Sequence, residues 1–534
     1  MLFRGRKEIF TDVPEINAEN LIDVLQKAMI TFASIADESN YLINYEKGVQ
    51  KLARKKTYRA DINCECIDNI ANEITDFKLG FQWANPTTLV QRSEKSDLAD
   101  AIAELNEQYD IAGINTNTQK LGYYVETTGV AYVLIDINTE WQEGDSYFTH
   151  NILEPNCTFI VKSSLHVDHR PMLGVTFRTD EYGNRYFTCY TKDARYEVIN
   201  LTTIVNVDNV RKLDKKDVKW EHTKYSGNKN PLDMIPIIEV YRAHDRTGCF
   251  ERQISEMDNL NILISDFTND VDQNTQAIWH TNDVDFPKEV VTKEDGTKQE
   301  KSVTPVTNDW VQTYTAPNGK TPFIKALAID YDYNGMLQNI VTRRALILQK
   351  CNVPQRNDNS GGSTGIAMSD ATGWSAAETA ASKQQSIIDG CKMQEVKAVL
   401  KAISKHPDIP QDSPLLKLKF SDVKPNTNRQ KNYELTTKIN FFATAVSHGV
   451  NGLHALKAMN AFDDVNQVWE DSKDLIEKYQ KSVFDNKDTT NKPVGGIDEE
   501  KPNADRIDQD KSDQEQNSPS MSGQETKQNK ELSN

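Results

Sequence analysis

Residues 250–280 read FERQISEMDNLNILISDFTNDVDQNTQAIWH, without a proline or a glycine. Taken as one helix, the stretch spans roughly 45 Å, much longer than a typical globular helix. Its apolar positions Met257, Leu260, Ile264, Phe267 and Val271 recur at alternating spacings of three and four. That narrow stripe is what one helix offers to neighbouring helices. Most of the remaining surface is acidic or amide, through Asp258, Asn259, Asp266, Asn269, Asp270, Asp272, Gln273 and Asn274.

Downstream the pattern changes. From Asp283 to Phe323, the runs Val290-Val291, Val303, Val306 and Trp310 to Tyr314 are β-type, punctuated by Pro287, Gly296, Pro305, Pro317 and Asn318-Gly319. Helical signal resumes from Tyr331 to Cys351 and stops at Pro354. Asn357 to Gly365 reads as a glycine-rich loop, and Ser375 to Ser404 as a third helix. Long helix, β-rich excursion, helix, loop, helix: this order suits a ring threaded by a polymer better than a catalytic domain.

Upstream, Asn17 to Asp37 reads as a helix with Ile22, Leu25, Met29, Phe32 and Ala36 on one face. Further helices are expected at Cys64–Phe77, Ser96–Tyr109 and Thr116–Thr127. Strands are expected at Val130–Ile135, Thr158–Val161, Leu173–Phe177, Tyr186–Tyr190 and Ile235–Tyr241, with a hairpin turn at Tyr182-Gly183-Asn184. The run Lys51 to Lys56 reads either as a solvated loop or as a contact for DNA or an acidic partner. Beyond Val494 almost nothing is apolar, so that tail cannot offset its ordering entropy and is expected to be disordered.

The net charge of −17 argues against a protein that grips nucleic acid over a large surface. From Asp485 onward there are twelve acidic and seven basic residues, so the body is acidic too. A negative wall repels phosphate and lowers sticking inside a channel; in an ordinary soluble protein the same charge serves solubility. No apolar run approaches the length of a spanning helix, and Arg4, Arg6 and Lys7 lead into Glu8 and Asp12 where a signal peptide needs apolar residues. Synthesis and folding in the cytoplasm, with no membrane partner, are the expectation. The seven cysteines are scattered except for Cys64-x-Cys66, which read as reduced thiols.

Four colinear segments resemble portal proteins of tailed bacteriophages, in particular the family built like the portal of Bacillus siphophages. The first runs through Ile70, Ile74 and Asp76-Phe77-Lys78-Leu79-Gly80 to Ala84-Asn85-Pro86, with Ala84 where a glycine is usual. The second is Met234-Ile235-Pro236-Ile237-Ile238, with Glu239 in place of a second proline. The third is Gly361-Gly362-Ser363-Thr364-Gly365 before a helix of small and polar residues. The fourth is Ser447-His448-Gly449-Val450, continuing through Asp463-Asp464 and Glu470 to Tyr479.

The resemblance implies an α+β portal fold: a mixed α/β wing (1–249), a first stem helix (250–282), a small β-containing clip (283–324) and a second stem helix (325–352). A tunnel loop (353–374), a long wing or tunnel helix with a return strand (375–434), a helical crown (435–483) and an acidic, polar tail (484–534) complete it. It further implies a ring-forming subunit, usually a dodecamer, at one capsid vertex of the virion, assembled in the host cytoplasm. Its implied partners are the terminase large subunit, head-tail connector or adaptor proteins, major capsid and scaffolding proteins, and the double-stranded DNA passing through. Tunnel-loop candidates are Asn359, Ser360, Gly361, Gly362, Ser363 and Thr364. Arg343, Arg344, Lys350 and Arg356 cluster around that loop and either touch phosphate or pair with the acidic stem of a neighbouring subunit. Asp258, Asp266, Asp270 and Asp272 mark the acidic stem.

No catalytic residue, cofactor or metal is expected. The glycine loop lacks the Lys-Ser/Thr pair of a P-loop, and neither a nucleophile elbow nor a His-Glu-x-x-His helix occurs. His166 and His169, flanking Asp168, lack further ligands and read as surface histidines. Two alternatives stay open: a virion head or assembly protein without a channel, and a metal-dependent nuclease using the Asp-rich helix. The first gives no reason for the β-rich insert between two long helices. The second needs carboxylates that converge, whereas these occupy different helix faces.

Overall fold

The computed structural model of the protein describes residues 5–52, 62–92, 98–201, 203–205, 228–275, 278–286, 288–293, 296–302, 310–315, 319, 321–327, 332–355, 373–427, 435–459, 468–469, 471–479 and 481. The chain divides into two units, Met1–Lys431 and Asn432–Asn534.

In the first unit, strand β1 (Ile9–Thr11) precedes the 26-residue helix α1 (Leu21–Glu46). Helix α2 (Ile70–Lys78) runs into a wide i→i+5 turn at Leu79–Trp83, then come β2 (Thr87–Gln91), α3 (Ala99–Ile111) and α4 (Ile114–Thr128). Strands follow as β3 (Val130–Ile137), β4 (Phe148–Leu153), β5 (Thr158–Ser163), β6 (Pro171–Thr179) and β7 (Arg185–Tyr190). Next are β8 (Ala194–Ile199), β9 (Thr203–Val205), β10 (Asn228–Lys229) and β11 (Ile237–Tyr241). Helix α5 (Ile254–Thr275) leads to β12 (Ile278–Asn282), β13 (Lys288–Thr292), β14 (Lys298–Ser302), β15 (Trp310–Thr313) and β16 (Phe323–Leu327). Helices α6 (Tyr333–Lys350) and α7 (Trp374–Lys405) and strand β17 (Val423–Thr427) complete the unit.

The seven-stranded sheet has the order β1-β5-β6-β7-β8-β10, with β9 also on β8. Only β1 is parallel to its neighbour; Ile9 faces Val161 across that pair. The β6–β7 hairpin turns at Gly183, whose φ of 83° suits glycine, and the Asp180 carboxylate accepts from the amides of Tyr182 and Asn184. Half of α1 lies on this sheet, where Leu21, Leu25, Phe32 and Ile35 meet Phe159, Val175, Phe187 and Val198. Each such side chain contributes about 1.5–3 kcal/mol on burial. The other half, with Leu42 and Tyr45, belongs to a different core beside α5 and α6. Helix α1 therefore ties sheet to helix pair. A third core gathers α3, α4, the β11-β3-β4 sheet and the length of α7 through Ile388, Val396, Val399 and Ile403. Strand β17 pairs with β2.

In the second unit, α8 (Leu435–Ser447) and α9 (Gly452–Met459) bury Val446, Ala455, Leu456 and Met459. Residues 471–479 are helical, and Ile476 and Trp469 abut Gly452 so closely that a Cβ there meets each at 2.6 Å.

Three expectations need correction. The first long helix ends at Thr275, and Trp279 and His280 sit in β12, paired with Trp310 and Val311 of β15. The apolar stripe stops at Val271, and the β-type residues beyond it find ladder partners remote in sequence. The helix expected from Cys64 begins only at Ile70; Cys64 to Asp68 is extended against α5. Helix α1 starts at Leu21 and runs to Glu46, nine residues past the expected Asp37. Strands β1, β2, β4, β8, β9, β10, β14 and β16 were not anticipated. The tail 484–534, Arg54 to Lys56, Val303, Val306, Asp463-Asp464 and Glu470 lie outside the described residues.

Candidate functional site

Helices α5 and α6 run antiparallel. Phe250, Ile254, Met257 and Leu260 at the start of α5 pack with Ile347, Leu348, Cys351 and Val353 at the end of α6. At the other end, Phe267 of α5 meets Tyr333 at the start of α6, ring centroids 5.9 Å apart. The intervening chain folds at that far end as the β15-β12-β16 sheet and the β13–β14 hairpin.

The polar face of α5 has a specific use. Asn261, Ser265 and Asn269, four residues apart, are each at most 2% exposed. The Asn269 side chain accepts from the Cys64 amide at 2.7 Å and donates to the Cys64 carbonyl at 3.0 Å. Ser265 accepts from the Cys66 amide at 2.9 Å, and Asn261 from the Asp68 amide at 2.9 Å. Four helical residues rise about 6.0 Å and two extended residues about 6.6 Å, so the two periods stay in step over three rungs. An extended strap is thus bonded to a helix by side chains. This explains asparagine and serine inside a helix, where their propensity is indifferent.

The carboxylates of α5 are dispersed. Asp258 accepts from the buried Tyr45 hydroxyl at 2.8 Å; Asp266 and Asp270 are half-buried and Asp272 is exposed. Among the described residues, no group of three or more His, Cys, Asp or Glu side chains is arranged to hold a metal ion. His166 bonds Arg170 at 2.8 Å, whereas His169 bonds the Ser163 carbonyl at 3.1 Å. Arg344 is held within the chain by Asp68 at 2.9 Å and by Glu73, and Arg343 lies 3.8 Å from Glu256. Lys350 is exposed at the end of α6. Arg356, Asn359, Ser360, Gly361, Gly362, Ser363 and Thr364 lie outside the described residues. Among the described residues no helix is long and apolar enough to cross a membrane.

The inner end of the helix pair is fixed by buried charge. Glu126, fully buried in α4, accepts from Trp83 Nε1 and Arg242 Nε at 3.0 Å each and from Gln384 Nε2. Its carbonyl accepts from the Cys249 amide at 2.7 Å. One glutamate thus joins four places: its carboxylate holds the turn before Ala84-Asn85-Pro86, the residue after β11 and the first turns of α7, and its carbonyl holds the lead-in to α5. Gly129, at φ 83°, closes α4 where a Cβ falls 2.2 Å from the Arg246 carbonyl, so glycine is required.

Nearby, Arg6 and Glu251 pair at 2.6 Å, nearly or fully buried, and Glu251 also accepts from the Gly248 amide. This places a carboxylate at the positive end of α5. Glu239 pairs with Arg246 at 2.7 Å and Lys162 at 3.1 Å. Burial raises its carboxyl, but Arg246 and Lys162 outweigh that and hold it below its usual range. The residue standing where a proline is usual is thus an ion-pair anchor on β11. Finally, Lys78 is 3% exposed and donates to the Asn352 carbonyl just past α6. Burial lowers its pKa.

The family model described as phage portal protein, SPP1 Gp6-like, matches residues 36–482. The chain belongs to this portal family. Among curated proteins nothing matches. Among solved structures, a chain of the neck of an empty GTA particle, computed with C6 symmetry, is similar at 10% identity; the match covers 75% of this chain and 91% of that chain, with a TM-score of 0.34. Portal proteins are structural components of phage particles, and the α+β architecture here is that of the family. Sequence reading of this portal protein missed Glu126, Arg242 and the Asn261-Ser265-Asn269 ladder. A lone glutamate in a Val-Glu-Thr-Thr-Gly run carries no signal of its own. The ladder had one: three amide or hydroxyl residues at i, i+4 and i+8.

Proposed function

We propose that this chain is the subunit of a closed ring, of about a dozen copies, at one capsid vertex. Double-stranded DNA enters through it during packaging and leaves through it at ejection. The terminase motor docks on the ring first and head-tail connector proteins replace it, while capsid and scaffolding proteins hold its rim. The ring does no chemistry of its own. The antiparallel α5–α6 pair, closed at one end by a small β module and anchored at the other by Glu126, carries this reading. Within a portal it supplies a stiff stem with a docking module at its tip. On this assignment residues 1–249 are wing, 250–275 and 333–352 stem, 278–327 clip, 353–374 tunnel loop and 435–483 crown.

The acidic body of the chain supports passage without sticking. The test is packaging into proheads assembled with the deletion of residues 361–364. Rings that form normally but fail to fill are expected. Normal filling overturns the tunnel-loop assignment.

A further inference from the structure

Between the start of α5, the end of α6 and the first turns of α7 lies a cavity of about 300 Å³. Among the described residues its wall carries Arg242, Arg252, Lys350 and Lys383, and no carboxylate. In a chain of net charge −17 such a concentration of cations has a local purpose. The nearby acids are already engaged: Glu126 holds Arg242, and Asp245 pairs with Arg252. The ammonium groups of Lys350 and Lys383 take no carboxylate among the described residues. Cys249 and Cys351 also line the wall, and burial pushes their thiols up to about 12 and about 11, so they add no negative charge. Behind the wall, Lys78 reaches the Asn352 carbonyl and adds a further cation.

We propose that this cavity binds a phosphate-class oxyanion, with Lys350 and Lys383 as its freely reaching donors and Arg242 and Arg252 as its fixed ones. The volume exceeds that of one phosphate group and accommodates two linked ones. Two lysines that take no carboxylate among the described residues, beside two guanidinium groups each held by its own acid, line one site and can form charge-assisted bonds to an anion there. The phosphate comes either from a nucleic-acid backbone or from a free polyphosphate. The site stands whether or not the chain forms a ring.

The experiment is calorimetric titration of the full-length protein with inorganic pyrophosphate, repeated on the Lys350→Gln/Lys383→Gln double variant. Both lysines are exposed, and an unchanged melting temperature without ligand establishes that the variant folds. Saturable binding of one pyrophosphate per chain, weakened about tenfold or more in the variant, is expected. A short DNA duplex that displaces pyrophosphate from the wild type identifies the backbone as the source; a duplex that does not compete identifies a free anion. Absent binding, or equal binding by wild type and variant, overturns the proposal. So does a variant that loses self-association while pyrophosphate binds neither protein, because the lysines then meet carboxylates of a second copy.

Discussion

The ammonium of Lys78 lies 3.2 Å from the carbonyl oxygen of Asn352, 274 residues away in sequence, and so places a buried positive charge at the carbonyl end of α6. The carbonyl end of a helix carries the negative pole of its dipole, which favours a lysine there, and Lys78 also satisfies the Asn352 carbonyl just beyond the last turn. Asn352 itself is left-handed, with φ 55°, which turns its carbonyl away from the helix axis.

Lys78→Met keeps most of the volume and removes the donor. With the Asn352 carbonyl left unsatisfied, a loss of about 1–3 kcal/mol is expected. Thermal denaturation of wild type and variant measures it, with Lys78→Arg recovering part of the loss. An unchanged melting temperature contradicts the capping role.

The Lys78 motif was visible in the sequence as a family pattern, but its partner was not. Local patterns carried much of the fold: the α5 stripe, the α6 and α7 helices, the Gly183 hairpin and the strands β3, β5, β6 and β7 all have short-range signals. What escaped was non-local. Strand β12 exists because β15 and β16 flank it, and the Cys64–Asp68 strap is extended because three α5 side chains hold its backbone. Glu126 and Glu239 are ordinary residues until the fold buries them beside arginines.

Glu126→Gln leaves the Arg242 guanidinium beside a neutral amide. Breaking one side of a buried pair costs ~3–5 kcal/mol, and the lower end applies because the Arg242 side chain keeps 22% of its surface exposed. Adding Arg242→Gln is expected to restore part of the stability. A double-mutant cycle by denaturant unfolding reads the coupling; additive single losses show that the two residues act independently.

The strap is testable locally. Asn269→Leu removes both bonds to Cys64, and ~1–2 kcal/mol of local stability should go with them. Hydrogen exchange is the direct readout: amides of Cys64 and Cys66 should lose protection while those of the β6–β7 hairpin keep theirs. Equal exchange in both proteins rules out the side-chain ladder.

Glu239 gives a pH signature. Its folded pKa lies below its ordinary value of 4.5, so it contributes stability fully above that pH and loses the contribution as the pH falls through the folded value. Glu239→Gln is therefore expected to be less stable than wild type at neutral pH, with the gap shrinking progressively below about pH 4.5. Unfolding midpoints of both proteins across the acid range check the sign. A gap that stays constant or widens on acidification contradicts it.

The central claim is that this portal protein works as a closed ring. Negative-stain imaging with native mass determination, on the full-length protein alone and after co-assembly with its scaffolding and capsid proteins, tests that most directly. Closed rings of about a dozen subunits around a central hole are predicted; monomers or open chains in both preparations contradict the claim.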